Sequence, residues 1–265
     1  MYETHYHRAA SVADAAAQME KAEDGKYLSG GQTLIPTMKQ RLAAPSDLID
    51  LRHIADMKGI SEEGGAVKIG AATSHNAVAT SPVVQRLIPG LAALAGGIGD
   101  PAVRHMGTIG GSISNNDPAA DYPSALIALG ATVTTNQRSL SAEDFFTGMF
   151  DTALDEGEIV TSVSFPVPEK SAYSKYPNPA SRYAMAGVFV AKGKDGAVKV
   201  AVTGAGQNGV FRVEEMESAL SSNWSSDAVA GISVSADDLL SDIHGSAEYR
   251  ANLVTVMAKR AVAAA

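Results

Sequence analysis

Two short stretches constrain this chain more than anything else in it. They are Leu28-Ser29-Gly30-Gly31-Gln32-Thr33-Leu34 and Gly107-Thr108-Ile109-Gly110-Gly111-Ser112-Ile113-Ser114-Asn115-Asn116-Asp117-Pro118. Each sets a glycine pair beside hydroxyl side chains, a composition too small and polar for core. Backbone N–H groups bare of side chains, converging near a helix start, bind anionic oxygens. Two such loops in one chain suit a ligand with two phosphates, or one pyrophosphate gripped from both sides. A second reading stands beside this one, in which the glycines only make turns of positive φ. The repetition of the pattern favours the first.

The rest of the sequence reads as mixed α and β in at least two layers. A helix is expected over Ser11–Glu23 with Ser11 as its N-cap. Strands are expected at Lys26–Ser29, Asp47–Leu51, Ala66–Ala71, Ala131–Thr135 and Glu158–Phe165, with a helix over Thr33–Arg41. Asn76–Ala95 reads as two helical pieces split at Pro89-Gly90, and Gly96 to Pro118 as one glycine-rich region. Four prolines between Phe165 and Arg182 mark a linker or crossover. Beyond it, Tyr183–Ala191 and Ala197–Thr203 read as strands, and Glu214–Leu220 and Ala247–Ala263 as helices.

Composition narrows the function. The chain of 265 residues contains no cysteine, which excludes a thiolate-held iron–sulfur cluster, a cysteine zinc site, a disulfide and a cysteine nucleophile within it. Net charge is -8 with no long basic stretch, arguing against nucleic-acid binding. No apolar run is long enough for a membrane span, and the N-terminal MYETHYHRAAS does not read as a signal peptide. The histidines lack metal-ligand spacing, and no GxSxG elbow occurs. Gly204-Ala205-Gly206-Gln207-Asn208-Gly209 matches GxGxxG, yet strand-like Val210–Val213 follows where a dinucleotide fold requires a helix. A turn between strands is the expectation. Asp121 admits two roles, acceptor from a sugar-like hydroxyl or N-cap of the helix at Pro123. Arg104-His105 suits either an anion's neighbourhood or a solvated loop.

At LSGGQTLIPTMKQRLAAPSDLIDLRHI and VRHMGTIGGSISNNDPAADYPSALIALGATV the chain resembles the FAD-binding medium subunits of molybdenum hydroxylases, the carbon monoxide dehydrogenase and xanthine dehydrogenase family. GEIVTSVSFPVP and VAVTGAGQNGVFRVEEMESAL extend the resemblance over essentially the whole chain. It implies an α+β fold: a two-part FAD-binding domain of the vanillyl-alcohol-oxidase-like (PCMH) type, residues 1–168 with subdomains of about 1–55 and 56–168, then a small α+β C-terminal domain, residues 169–265. Leu28, Ser29, Gly30, Gly31, Gln32, Thr33 and Leu34 would form the first FAD loop. Ile98, Gly99 and Val103 would line the flavin or adenine side. Gly107, Thr108, Gly111, Ser112 and Ser114 would complete the phosphate grip. Asp121 would hold cofactor hydroxyls, Ile159 or Val160 would pack on the cofactor, and Tyr183 would lie close to the isoalloxazine; Lys175 is carried over with them. Family members often read Gly-Gly-Asn followed by His-Asp in the second loop, where this chain has Gly111-Ser112 and Asn116-Asp117. They often carry Asp before Ala-Ala where this chain has Arg182-Tyr183.

The resemblance further implies an electron-transfer role. Molybdopterin and two [2Fe–2S] clusters would reside in a large and a small partner subunit, and FAD would pass electrons from the clusters to an external acceptor. A cytoplasmic dimer of heterotrimers is the implied assembly, and no catalytic side chain or metal is expected in this chain. The alternative is a stand-alone FAD-dependent oxidoreductase of the same superfold.

Overall fold

The computed structural model describes residues 1–265. Strand β1 (His5–Arg8), helix α1 (Val12–Met19), β2 (Gly25–Leu28), α2 (Leu34–Lys39) and β3 (Asp47–Asp50) build a small parallel sheet of order β1-β3-β2. Ser11 caps α1, its Oγ accepting from the Asp14 N–H at 3.0 Å, but the helix stops at Met19, short of Glu23. Parallel pairing of β2 and β3 aims the chain out of the sheet at Ser29, where the first glycine loop begins.

A second, antiparallel sheet of order β4-β5-β10-β6-β7 follows, from β4 (Ile60–Glu63) and β5 (Ala66–Gly70). Between β5 and the next strand run six helices: α3 (His75–Thr80), α4 (Pro82–Leu87), α5 (Pro89–Gly96), α6 (Pro101–Met106), α7 (Ile109–Asn115) and α8 (Tyr122–Leu129). Ser81-Pro82 adds a third helical piece to the two expected, because Ser81 both ends α3 and caps α4. The glycine-rich region from Gly96 to Pro118 contains α6 and α7. Asp100 caps α6 by accepting from the Val103 N–H at 2.9 Å, and Thr108 caps α7 by accepting from Gly111 at 3.1 Å. Two glycines give α7 poor intrinsic helicity; tertiary bonds from Ile109 N–H to the Thr73 carbonyl and from Gly110 N–H to the Ala71 carbonyl hold its start.

The sheet is completed by β6 (Thr132–Thr135), β7 (Ser139–Ser141) and β10 (Val160–Pro166), after a single-turn α9 (Ala142–Phe145) and the hairpin β8 (Phe146–Gly148) and β9 (Asp151–Thr152). The proline-rich segment is a crossover from this sheet to the next and not a bare linker. Lys170–Pro177 forms β11, the edge of a third sheet ordered β11-β12-β13-β14 with β12 (Ala184–Lys192), β13 (Val198–Thr203) and β14 (Phe211–Arg212). Its prolines sit at or beyond the strand ends, where no ladder N–H is needed. GAGQNG joins β13 to β14, antiparallel neighbours, as a strand-to-strand turn. Helices α10 (Glu214–Ser222) and α11 (Ala247–Ala264) close the chain.

Strand β12 is buried on both faces and so lacks polar alternation. Phe189 and Ala191 join the first hydrophobic core, with Ile69, Leu94, Ile109 and Phe165. Val188 and Val190 join a second core with Val254, Met257 and Ala261 of α11. Helix α8 is buried on every side, which explains its almost wholly apolar sequence; its one small polar side chain, Ser124, donates to the Asp121 carbonyl at 2.8 Å. No helix is long and apolar enough to cross a membrane.

Candidate functional site

The two glycine stretches meet. Ser29 Oγ lies 2.8 Å from Thr108 Oγ1, and Gly30 packs directly on the backbone of Met106 and Gly107. A Cβ at Gly30 would stand 2.6 Å from the Gly107 Cα, so only glycine permits this approach. Gly31 has φ 69°, turning the chain into α2. The two loops form the floor of a cleft of about 870 Å³.

The loops differ in what they offer. Backbone N–H groups of Gly30, Gly31, Gln32 and Thr33 donate to no acceptor within the chain. Those of Ile109, Gly110, Gly111 and Ser112 are already paired, with Thr73, Ala71 and Thr108. The expectation of free N–H groups in both loops is therefore corrected: the second loop folds as a capped helix start, which consumes its donors. What it presents instead are hydroxyls, and a Cβ at Gly111 would crowd them, lying only 3.0 Å from Thr108 Oγ1.

Leu28 through Leu34, Ile98, Gly99, Val103, Gly107, Thr108, Gly111, Ser112, Ser114, Asp121, Ile159, Val160 and Tyr183 all line the cleft. Lys175 does not; it sits behind the wall. Its Nζ lies 3.0 Å from an Asp121 carboxylate oxygen and donates to the Gly97 carbonyl at 2.9 Å. Tyr173 donates to the same carboxylate at 2.5 Å. Burial pushes the Asp121 carboxyl upward, opposed by the Lys175 ammonium and the Tyr173 hydroxyl. Asp121 precedes α8 but makes no side-chain capping bond, so the N-cap role is set aside. Arg104 donates to the Ile98 and Gly99 carbonyls, closing the loop that carries both residues.

Sequence reasoning missed two cleft residues of consequence. His75, at the start of α3, lies beneath Gly107. Burial, with Arg104 nearby, lowers its pKa to about 4, so the imidazole is neutral at pH 7 and its Nδ1 has no partner. Phe150 reaches the cleft from the β8–β9 turn. No local pattern marks either one, since both arrive through long-range packing. Tyr183 is 52% exposed at the cleft's rim; partial burial, with Asp117 and Asp121 nearby, raises its phenol pKa.

The donors and shape fit a dinucleotide. Four unpaired N–H groups in sequence suit a diphosphate, and the volume suits a ligand of that size. No group of histidine, aspartate and glutamate side chains could hold a metal ion.

Comparison with known proteins agrees. The family model for the FAD binding domain in molybdopterin dehydrogenase matches residues 2–168. The carbon monoxide dehydrogenase medium chain of Afipia carboxidovorans is 36% identical, covering 97% of this chain and 94% of that one. The nicotine 6-hydroxylase medium subunit of Paenarthrobacter nicotinovorans is 34% identical, covering 97% and 95%. Among solved structures, the cyanide-inactivated Cu,Mo-CO dehydrogenase superposes with a TM-score of 0.87 at 34% identity, over 99% of this chain and 98% of its counterpart. Quinoline 2-oxidoreductase from Pseudomonas putida superposes at 0.88 and 28%, over 99% and 96%.

Proposed function

The chain belongs to the family of FAD-binding domains of molybdopterin dehydrogenases, and from that premise we propose that it is the electron-transfer subunit of a heterotrimeric molybdenum hydroxylase. When bound, FAD would supply one-electron and two-electron redox chemistry, the link this proposal needs between [2Fe–2S] clusters of a small subunit and an external acceptor. Substrate oxidation then belongs to a large molybdopterin subunit. The observation that carries this reading is the run of unpaired N–H groups at Gly30–Thr33, joined to the second loop through Ser29 and Thr108.

In this reading the chain's residues bind and orient. Gly30 to Thr33 hold the diphosphate, and Thr108, Ser112 and Ser114 add hydroxyls. Asp121, fixed by Tyr173 and Lys175, accepts from cofactor hydroxyls. Lys175 is thus a positioning residue and not a contact. Ile98, Gly99, Val103, Ile159 and Val160 exclude water, and Tyr183 stands by the ring system. No side chain needs to gain or lose a proton for outer-sphere electron transfer. The proposal includes domain limits near residues 55 and 168, a dimer of heterotrimers and a cytoplasmic location. The near-complete coverage of medium chains supports the assembly.

Affinity purification of the tagged chain from its native host tests it. Two partners are expected, one with molybdopterin and one with [2Fe–2S] clusters, and reducing the clusters should bleach the flavin absorbance. An FAD-loaded chain that purifies alone and turns over a substrate unaided would overturn the proposal in favour of a self-sufficient flavin enzyme.

A further inference from the structure

Asn116 ends α7, yet it lines no part of the cleft and is only 2% exposed. Its backbone is left-handed, at φ 41°. Its side-chain Nδ2 donates to the carbonyls of Gly148 and Asp151, both at 2.8 Å, and its own carbonyl accepts from the Phe150 N–H at 3.0 Å. These bonds hold the turn between β8 and β9 from one side. Thr147 Oγ1 donates to the Asp151 carboxylate at 2.7 Å across the turn.

The residue so held is Phe150, itself left-handed at φ 55°. A bulky side chain rarely adopts this conformation, because its Cβ crowds the following carbonyl. Such strain persists only where the surroundings over-determine it, and it concentrates at functional sites. Nor does the ring serve the core: Phe150 is 58% exposed while lining the cleft. An exposed, strained aromatic contributes little to folding. The Asn116 bonds sustain the strained backbone, and they leave the ring itself facing the cleft without a core to pack on.

We propose that Phe150 contacts bound FAD, with the β8–β9 turn presenting its ring as an apolar wall of the cleft and Asn116 acting as the positioning residue. This rests on the reading of the cleft as an FAD site. Asn116, without direct access to the ligand, thereby has a task in cofactor binding.

The FAD-free chain and its Phe150→Gly and Phe150→Tyr variants, each titrated with FAD, test the proposal. Glycine removes both the ring and the strain, so fold and binding should move in opposite directions. Melting temperature of the FAD-free Phe150→Gly chain should hold or rise by about 2 °C. Its FAD dissociation constant should rise about tenfold, and iodide should quench the bound flavin more readily. Phe150→Tyr should keep wild-type affinity and quenching. A fall in melting temperature of several degrees for Phe150→Gly would show that the ring is ordinary packing. Unchanged affinity and quenching in Phe150→Gly, with the wild type binding normally, would overturn this inference alone. A wild-type chain that fails to bind FAD would overturn the reading of the cleft as well.

Discussion

Replacing Lys175 with methionine removes one member of a buried ion pair and keeps most of the stem's volume. Asp121 is 5% exposed, and the Lys175 side chain 9%. Without the ammonium, the carboxylate keeps only the Tyr173 hydroxyl as a partner. Stranding a buried charge this way costs about 3–5 kcal/mol. For a chain of this size, 3 kcal/mol corresponds to a melting-temperature drop of roughly 6–12 °C. The loss should depend on pH. Burial already raises the folded-state pKa of Asp121, and losing Lys175 raises it further. A carboxyl raised on folding binds its proton more tightly in the native state, so its stabilising contribution is fully present below the unfolded value of about 3.9 and is lost as pH rises through the folded value. The deficit of Lys175→Met should therefore be greatest at pH 7 and shrink towards pH 4. Thermal melts of the FAD-free chain at pH 7 and pH 5 measure it. Asp121→Asn in the same chain should recover most of the loss, because a neutral amide needs no counter-ion. A deficit below about 1 kcal/mol, or one equal at both pH values, would refute the assignment of Lys175 as the partner that holds Asp121.

Gly30→Ala should force the two loops apart, since its Cβ meets backbone on Met106 and Gly107; fluorescence titration should show FAD affinity down about tenfold or more, with about 1–3 kcal/mol of stability lost. NMR titration should find His75 with a midpoint near 4; that depressed value means the buried ring destabilises the fold as pH falls below its unfolded value of roughly 6.5, and a midpoint above 6 would contradict the placement of the ring. Glu158, held to about 2 chiefly by its bonds from Arg138, contributes stability that is present above roughly pH 4.3 and lost as pH falls towards 2. In Arg138→Ala, circular dichroism should show acid unfolding beginning at higher pH.

The cleft was legible because its floor is written locally. Glycine beside hydroxyl, twice, names the backbone approach without knowledge of the rest of the fold, but only the first stretch keeps its donors free; the second spends them on the start of α7. What stayed hidden depends on distance in sequence. The two glycines of α7 conceal a helix whose start is held by carbonyls of Ala71 and Thr73. β11 was obscured by prolines that lie at its ends, and its pairing with β12 cannot be read from either strand alone. Lys175 came forward through resemblance as a cofactor residue, yet it acts behind Asp121, across a contact that no motif records. Phe150 follows from no pattern at all; only the backbone at Asn116 and the hairpin beyond it bring it to the cleft.

The central claim is that the joined loops at Gly30 and Gly111 grip the FAD diphosphate. Titrating FAD into the FAD-free chain and into its Gly111→Asp variant tests it most directly. The variant puts a carboxylate beside Thr108 and Ser29, where the phosphates would lie. The wild-type chain should saturate at about one FAD, and the variant should retain none at the same concentration while keeping the wild-type circular dichroism. Equal binding by the two would contradict the claim.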